Sequence, residues 1–337
     1  MPIFLMNTNQ LCIELRNSLA RHGTDLRLVD NGDLKTADKV IFFNLDNKLL
    51  RHCLDAGLTP ERLALLLYEP DVIQPDQYDS RVWKCFGQIF TWRDDLVDNS
   101  RFFKLRWPQM TRPVRTLPGF EDRKLLAMIN TNKYGYIDGE GYSYRRKAIR
   151  FFDGCGRFDL YGHGWNNLAW PIIHATAAAV RSVKLPRPLP AKCMLPGNIA
   201  AAYIKDIAQG LSPFVSYAGT VSDKDETLAK YRFCLCIENQ LNYPGYVTEK
   251  LFDCFFSGTV PVYLGAANVE EYVPRDCFIS MSNTKDFSTL LDILQSMGPA
   301  EFGKYQQAGR NFVTADAFHE WTHEGVYESV ADRLMSM

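Results

Sequence analysis

YRFCLCIENQLNYPGYVTEKLFDCFFSGTVP, running from Tyr231 to Pro261, reads as a strand, a loop, a helix and a second strand in succession. Phe233, Leu235 and Ile237 alternate with Cys234 and Cys236. All five are apolar, as a parallel strand buried on both faces requires. A polar loop from Glu238 to Tyr246 follows the strand's C-terminal end. In open α/β sheets, ligands bind outside such ends. Thr248 is a good N-cap, with Glu249 and Lys250 in the first turn of the helix it starts. Free N–H groups and the positive dipole end make that turn a seat for phosphate, and Lys250 adds a full positive charge. Ser257-Gly258 ends the helix, and Thr259-Val260-Pro261-Val262 begins the next strand. Each residue also has a plain structural reading: Glu249 as a dipole partner, Lys250 as a solvated cation, Tyr246 as packing. The polar cluster at the end of a buried strand shifts the balance toward a phosphate-containing ligand such as a nucleotide.

The same alternation extends outward in both directions. Gln10 to His22 has apolar residues at helical spacing and ends at Gly23. Short apolar runs follow at Leu26–Val29, Val40–Phe43, Leu63–Tyr68 and Gln88–Trp92. With helices between them, they predict a parallel sheet covered on both faces. Prolines from Trp107-Pro108 to Pro118-Gly119 interrupt the pattern, which then restarts. Strands are expected at Leu125–Ile129, Phe158–Tyr161, Val260–Leu264 and Cys277–Met281. Helices are expected at Tyr144–Asp153, Asp225–Lys230, Glu249–Ser257 and Phe287–Ser296, with a helical tail from Asp316 to Met335. The proline-rich stretch Arg181 to Pro196 carries Arg181, Lys184, Arg187 and Lys192 and no acid. It reads equally as a loop beside a site or as a solvated linker. The expected division is 1–118, 119–312 and a C-terminal helix over 313–337 that packs back on the first domain.

Composition narrows the classes. The chain has 337 residues, of which 46% are apolar and 13% aromatic, enough for two hydrophobic cores. Its 38 basic and 39 acidic residues nearly cancel, which argues against a nucleic-acid binder. Nine cysteines form no Cys-X-X-Cys pair, and no histidine sits at zinc-ligand spacing. They read as free thiols of a reducing compartment, most of them packed in cores. No basic stretch leads a long apolar run at the N-terminus, and no window approaches a membrane span. The expectation is a cytoplasmic enzyme, at most peripheral at the inner face of a membrane.

The quoted stretch, from FCLCIEN through YVTEKLFD to GTVPVYLG, resembles the signature of the α-1,3-fucosyltransferase family, glycosyltransferase family 10. The loop before Tyr246 departs from the bacterial pattern in being slightly longer and holding Pro244. A second match covers Met128-Ile129-Asn130-Thr131-Asn132, then Tyr142 to Arg146, then Asp159-Leu160-Tyr161-Gly162. A third covers Leu65 to Pro70 and Phe90 to Asp95. The resemblance implies a GT-B-type fold, two Rossmann-like domains facing a central cleft. It implies acceptor binding in the first domain and nucleotide-sugar binding in the second. It implies inverting transfer of L-fucose from GDP-β-L-fucose to an oligosaccharide or glycolipid hydroxyl, in α-1,3 linkage to a GlcNAc-type sugar. Arg145, Asn239, Tyr246, Thr248, Glu249 and Lys250 then fall at donor-binding positions, with Arg146, Asn130 and Glu238 as secondary candidates. Glu69 falls at the general base, with Asp71, Asp94 and Asp95 as alternatives, and Glu249 orders the donor or balances developing charge.

No cofactor or metal is expected. Asp223-Lys224-Asp225 has the spacing of a metal-chelating motif but sits at an expected helix start, where capping explains it. His163, in Gly162-His163-Gly164, reads as a structural turn residue. Two other functions stay open: transfer from a different nucleotide deoxysugar or aminosugar, and non-catalytic binding of a nucleotide sugar or glycan.

Overall fold

The structure, a computed structural model, describes residues 2–5, 11–28, 34–113, 117–135, 137–166 and 214–336. The basic, proline-rich stretch 181–196 lies outside them. Two compact units emerge: Met1–Arg112 with Tyr243–Glu249 and Thr314–Met337, and Pro113–Asn242 with Lys250–Val313. The division thus falls at Arg112/Pro113, ahead of the expected 118, and a seven-residue piece of the quoted loop groups with the first unit.

The first unit is a six-stranded sheet. Its strands are β1 (Pro2–Leu5), β2 (Asp25–Leu28), β3 (Lys39–Phe43), β4 (Leu63–Leu67), β5 (Gln88–Thr91) and β6 (Phe102–Lys104), in the order β2-β1-β3-β4-β5-β6. Every neighbouring pair is parallel. Ile41, Leu66 and Phe90 face one core, closed by α1 (Leu11–Arg21). Val40, Phe42, Leu65 and Ile89 face the other, closed by α2 (Asn47–Asp55). Strands apolar on both faces are what a sheet covered on both sides demands. After a 3-10 segment at Asp316–Trp321, the C-terminal helix His323–Met335 lies against α1, with Val326, Tyr327 and Val330 in the core that holds Leu15 and Leu19. Arg21 pairs with Glu328 at 2.5 Å across that contact.

The second unit is also a six-stranded sheet. Its strands are β7 (Lys124–Ile129), β8 (Phe158–Tyr161), β9 (Tyr217–Gly219), β10 (Tyr231–Ile237), β11 (Val260–Leu264) and β12 (Ile279–Ser280). The order is β12-β11-β10-β7-β8-β9, all parallel. From β7 the chain steps outward through β8 and β9, then returns to β10 on the other side of β7. That is the 3-2-1-4-5-6 order of dinucleotide-binding sheets, with its switch point between β7 and β10. The helices are α3 (Ser80–Trp83) in the first unit, then α4 (Tyr142–Asp153), α5 (Lys224–Leu228), α6 (Glu249–Ser257), α7 (Phe287–Ser296) and α8 (Pro299–Thr314). Phe233, Leu235 and Ile237 face the main core with α4 and α7, while Cys234 and Cys236 face the opposite side. The expected strand Cys277–Met281 shortens to Ile279–Ser280, because 3-10 turns at Arg275–Cys277 and Met281–Asn283 curl both ends. Among the described residues, no helix is long and apolar enough to cross a membrane.

Candidate active site

At the switch point of the second unit, two loops are laced together. After β10, the backbone of Asn239 accepts from Gly141 N–H at 2.8 Å, and Leu241 N–H donates to Gly139 at 2.7 Å. Gly141 ends the loop after β7 and opens α4. A Cβ there would lie 2.0 Å from the Glu238 carbonyl oxygen, so only glycine lets the two backbones approach this closely. The lacing brings the first turn of α4 over the end of β10.

Arg145 projects from that turn and is 4% exposed. Its Nε donates to the Ile237 carbonyl at 3.0 Å and its guanidinium to Asn239 Oδ1 at 2.9 Å. Arg146, one residue on, turns away. It donates to the Lys133 carbonyl at 2.6 Å and stacks on the Tyr134 ring at 3.6 Å. Arg145 therefore faces the strand ends, and Arg146 holds the β7–α4 loop. On the other side Lys250, in the first turn of α6, pairs with Glu238 at 2.8 Å. Glu238 is fully buried; the burial of Tyr263, and after it the charge of Glu238, pushes the Tyr263 hydroxyl well above its ordinary pKa. Asn130, just past β7, lines the same cavity as Arg145 and Lys250. Neither of its side-chain amide atoms has a hydrogen-bond partner, and the same is true of the fully buried Gln240. Buried amides without partners are rare and mark places where a ligand or water completes the bonding.

The first unit holds the other expected residues. Tyr246 is 1% exposed, with its ring centroid 4.5 Å from that of Trp92. Thr248 is likewise buried. Gly245, at φ +82°, passes so close that a Cβ would meet the Trp92 carbonyl at 2.2 Å. Glu249 is half-buried. Glu69 follows β4, with its backbone clamped. Asn44 Oδ1 accepts from its N–H at 2.9 Å, while Gln77 and Tyr78 donate to its carbonyl at 2.6 and 2.9 Å. Of the alternative carboxylates, Asp94 pairs with Lys104 at 2.6 Å. Arg93 binds Asp95 and holds its carboxyl below the usual range. That ion pairing makes Asp95 a weaker base. Asp223 caps α5 by accepting from Glu226 N–H at 2.9 Å, and His163 is exposed in its glycine turn.

One grouping escaped the spacing analysis. Cys234, Cys236 and Cys254 come together on the far side of β10. Cys-X-Cys on a strand puts two thiols on one face, a signal that a search for Cys-X-X-Cys misses.

Residues 213–328 match the family model for glycosyltransferase family 10 (fucosyltransferase), C-terminal part. That stretch is similar to the C-terminal part of family 10 glycosyltransferases. It contains Glu238, Asn239, Tyr246, Thr248, Glu249 and Lys250, whereas Glu69, Asn130, Arg145 and Arg146 precede it. Over 75 residues the chain is 39% identical to the α-(1,3)-fucosyltransferase FucT of Helicobacter pylori. The match spans 22% of this chain and 16% of that protein. A crystal structure of an α1,3-fucosyltransferase aligns over 99% of this chain and 90% of its own, with a TM-score of 0.58 at 14% identity. Anabaena Alr3699/HepE, solved with UDP and glucose, aligns over 100% and 99%, with a TM-score of 0.57 at 11% identity. These neighbours place the two parallel sheets in the GT-B fold. The fold is equally close to a fucosyltransferase and to a protein that binds UDP, so the family 10 match, not the fold, carries the donor argument.

Proposed function

We propose that the chain transfers L-fucose from GDP-β-L-fucose to a glycan hydroxyl with inversion, forming an α-1,3 link to a GlcNAc-type sugar. The observation that carries this reading is the convergence of Arg145, Asn239 and Lys250 at the switch point of a sheet whose second half matches the family 10 model. A nucleoside diphosphate suits that arrangement. Arg145 supplies a guanidinium fork, Lys250 a point charge, and the start of α6 its N–H groups. The unpartnered amides of Asn130 and Gln240 can accept or donate to the ligand's polar edges. As the sugar leaves, negative charge grows on the diphosphate, where fixed positive groups lower the barrier. Glu69 takes the proton of the attacking hydroxyl, Glu249 orders the donor, and Tyr246 and Thr248 contact it. No metal is required, since the charge of the leaving group is met by side chains. The enzyme acts on the cytoplasmic side, with a glycan or glycolipid acceptor.

The test is a transfer assay with GDP-fucose and N-acetyllactosamine-type acceptors, in EDTA, with the product's anomeric configuration read by NMR. An α-linked product supports the reading. Turnover only with a UDP- or TDP-sugar would favour the second reading, the same fold acting on another donor. That reading draws on the fold's equal likeness to the UDP-binding Anabaena protein. Donor binding without turnover on any acceptor would favour a non-catalytic binding protein.

A further inference from the structure

The far face of β10 gathers three thiols. Cys234 and Cys236 lie two residues apart on the strand, and Cys254 comes from α6 packed on that face. Their sulfurs all lie within 4.8 Å of one another, with Cys236 and Cys254 at 3.4 Å. All three residues are buried, yet they line the cavity that Asn130, Arg145, Lys224 and Lys250 also line, with about 20 Å³ of free volume. That is room for one water-sized occupant beside the thiols. Aliphatic side chains would fill such a place better, since a buried thiol contributes only the packing of a small hydrophobe.

We propose that this trio binds one soft, thiophilic cation in three-coordinate thiolate geometry, with Cu(I) as the ion to test. Three sulfurs in a plane, each about 2.3 Å from a central ion, sit about 4 Å apart; here Cys236 and Cys254 are 3.4 Å apart and no separation in the trio exceeds 4.8 Å. Thiolates select soft ions, and among the described residues no fourth His, Cys, Asp or Glu side chain joins the group. Each thiol that coordinates gives its proton to solvent, and no electron is transferred. The cation offsets the charge left on sulfur, while Lys224 on the same cavity wall is already paired with the buried Asp253. Because Cys236 Sγ sits 3.3 Å from the Lys250 carbonyl oxygen, a bound ion ties β10 to the turn of α6 that carries Lys250. The thiol trio shares this cavity with Asn130, Arg145 and Lys250 of the proposed donor seat, but the donor assignment uses none of the three cysteines, and the sulfur count of the titration below reads the trio alone.

The reduced protein should be titrated anaerobically with Cu(I) in competition with a chromophoric Cu(I) chelator, and the loaded sample examined by X-ray absorption. One tightly held ion per chain with three sulfur neighbours is expected. Cys234→Ala and Cys254→Ala should each weaken it by more than the ~10–100-fold that loss of an outer-shell partner costs. Melting curves check that these variants fold, and if they do not, the sulfur count on the unaltered protein decides. Two sulfur neighbours, nitrogen or oxygen neighbours, or unchanged affinity in either folded alanine variant would overturn the site.

Discussion

At the end of β10, Lys250 and Glu238 form an ion pair in which the carboxylate is fully buried and the lysine 16% exposed. At the end of β5, Lys104 and Asp94 form a pair of similar length that keeps 23% and 27% of its side chains exposed. Both sit beyond the C-terminal ends of parallel strands, yet their costs differ. A buried pair gives up much of its solvation, whereas a partly exposed one gives up little and gains little. Keeping an ionised pair beside two unpartnered amides is a poor way to build a core and a good way to build an anion seat. The second unit therefore carries the stronger signs of a ligand. The first carries carboxylates already matched by Arg93 and Lys104, and a clamped Glu69 whose role rests on position.

The sharpest way to break this division is Glu69→Gln. The account expects kcat to fall by about 10²–10⁴-fold, with GDP-fucose affinity and melting temperature unchanged, in steady-state and calorimetric measurements. An unchanged kcat would move the base to Asp71 or remove it. Next is Lys250→Met, which removes the cation paired with the buried Glu238 and should cost about 3 kcal/mol in urea unfolding as well as donor binding. Adding Glu238→Gln should recover much of the stability and none of the binding, which separates the two roles. Gly245→Ala should cost about 1–3 kcal/mol, from its positive φ and the contact with Trp92. The smallest effect is expected from Asp94→Asn, under about 1 kcal/mol by the same unfolding assay. A loss there as large as that of Lys250→Met would erase the contrast.

The second unit was also the more legible in sequence. Glu249–Ser257, Val260–Leu264 and Phe287–Ser296 have the limits that their periodicity implies. Long apolar strands and sharply amphipathic helices announce themselves. The three-residue strands Phe102–Lys104 and Tyr217–Gly219 sit at sheet edges and are too short to show a period. The helix Pro299–Thr314 also gave no signal, because only Phe302 and Gly309 along it are buried. For the site, Lys250 and Asn239 were readable from the polar end of a buried strand. The orientation of Arg145 against that of Arg146 was not, since it depends on the lacing of loops far apart in sequence. Gln240 looked like one more polar loop residue, and only its burial sets it apart. The thiol trio needed the strand period and the packing of α6 together.

The central claim, a nucleotide-sugar seat at the β7/β10 switch point, is tested most directly by calorimetric titration with GDP, GDP-fucose, UDP and TDP in EDTA. The account predicts selective binding of GDP and GDP-fucose, weakened about ten- to a hundredfold in Lys250→Met. Binding that ignores Lys250, or no nucleotide binding by the folded protein, would contradict it.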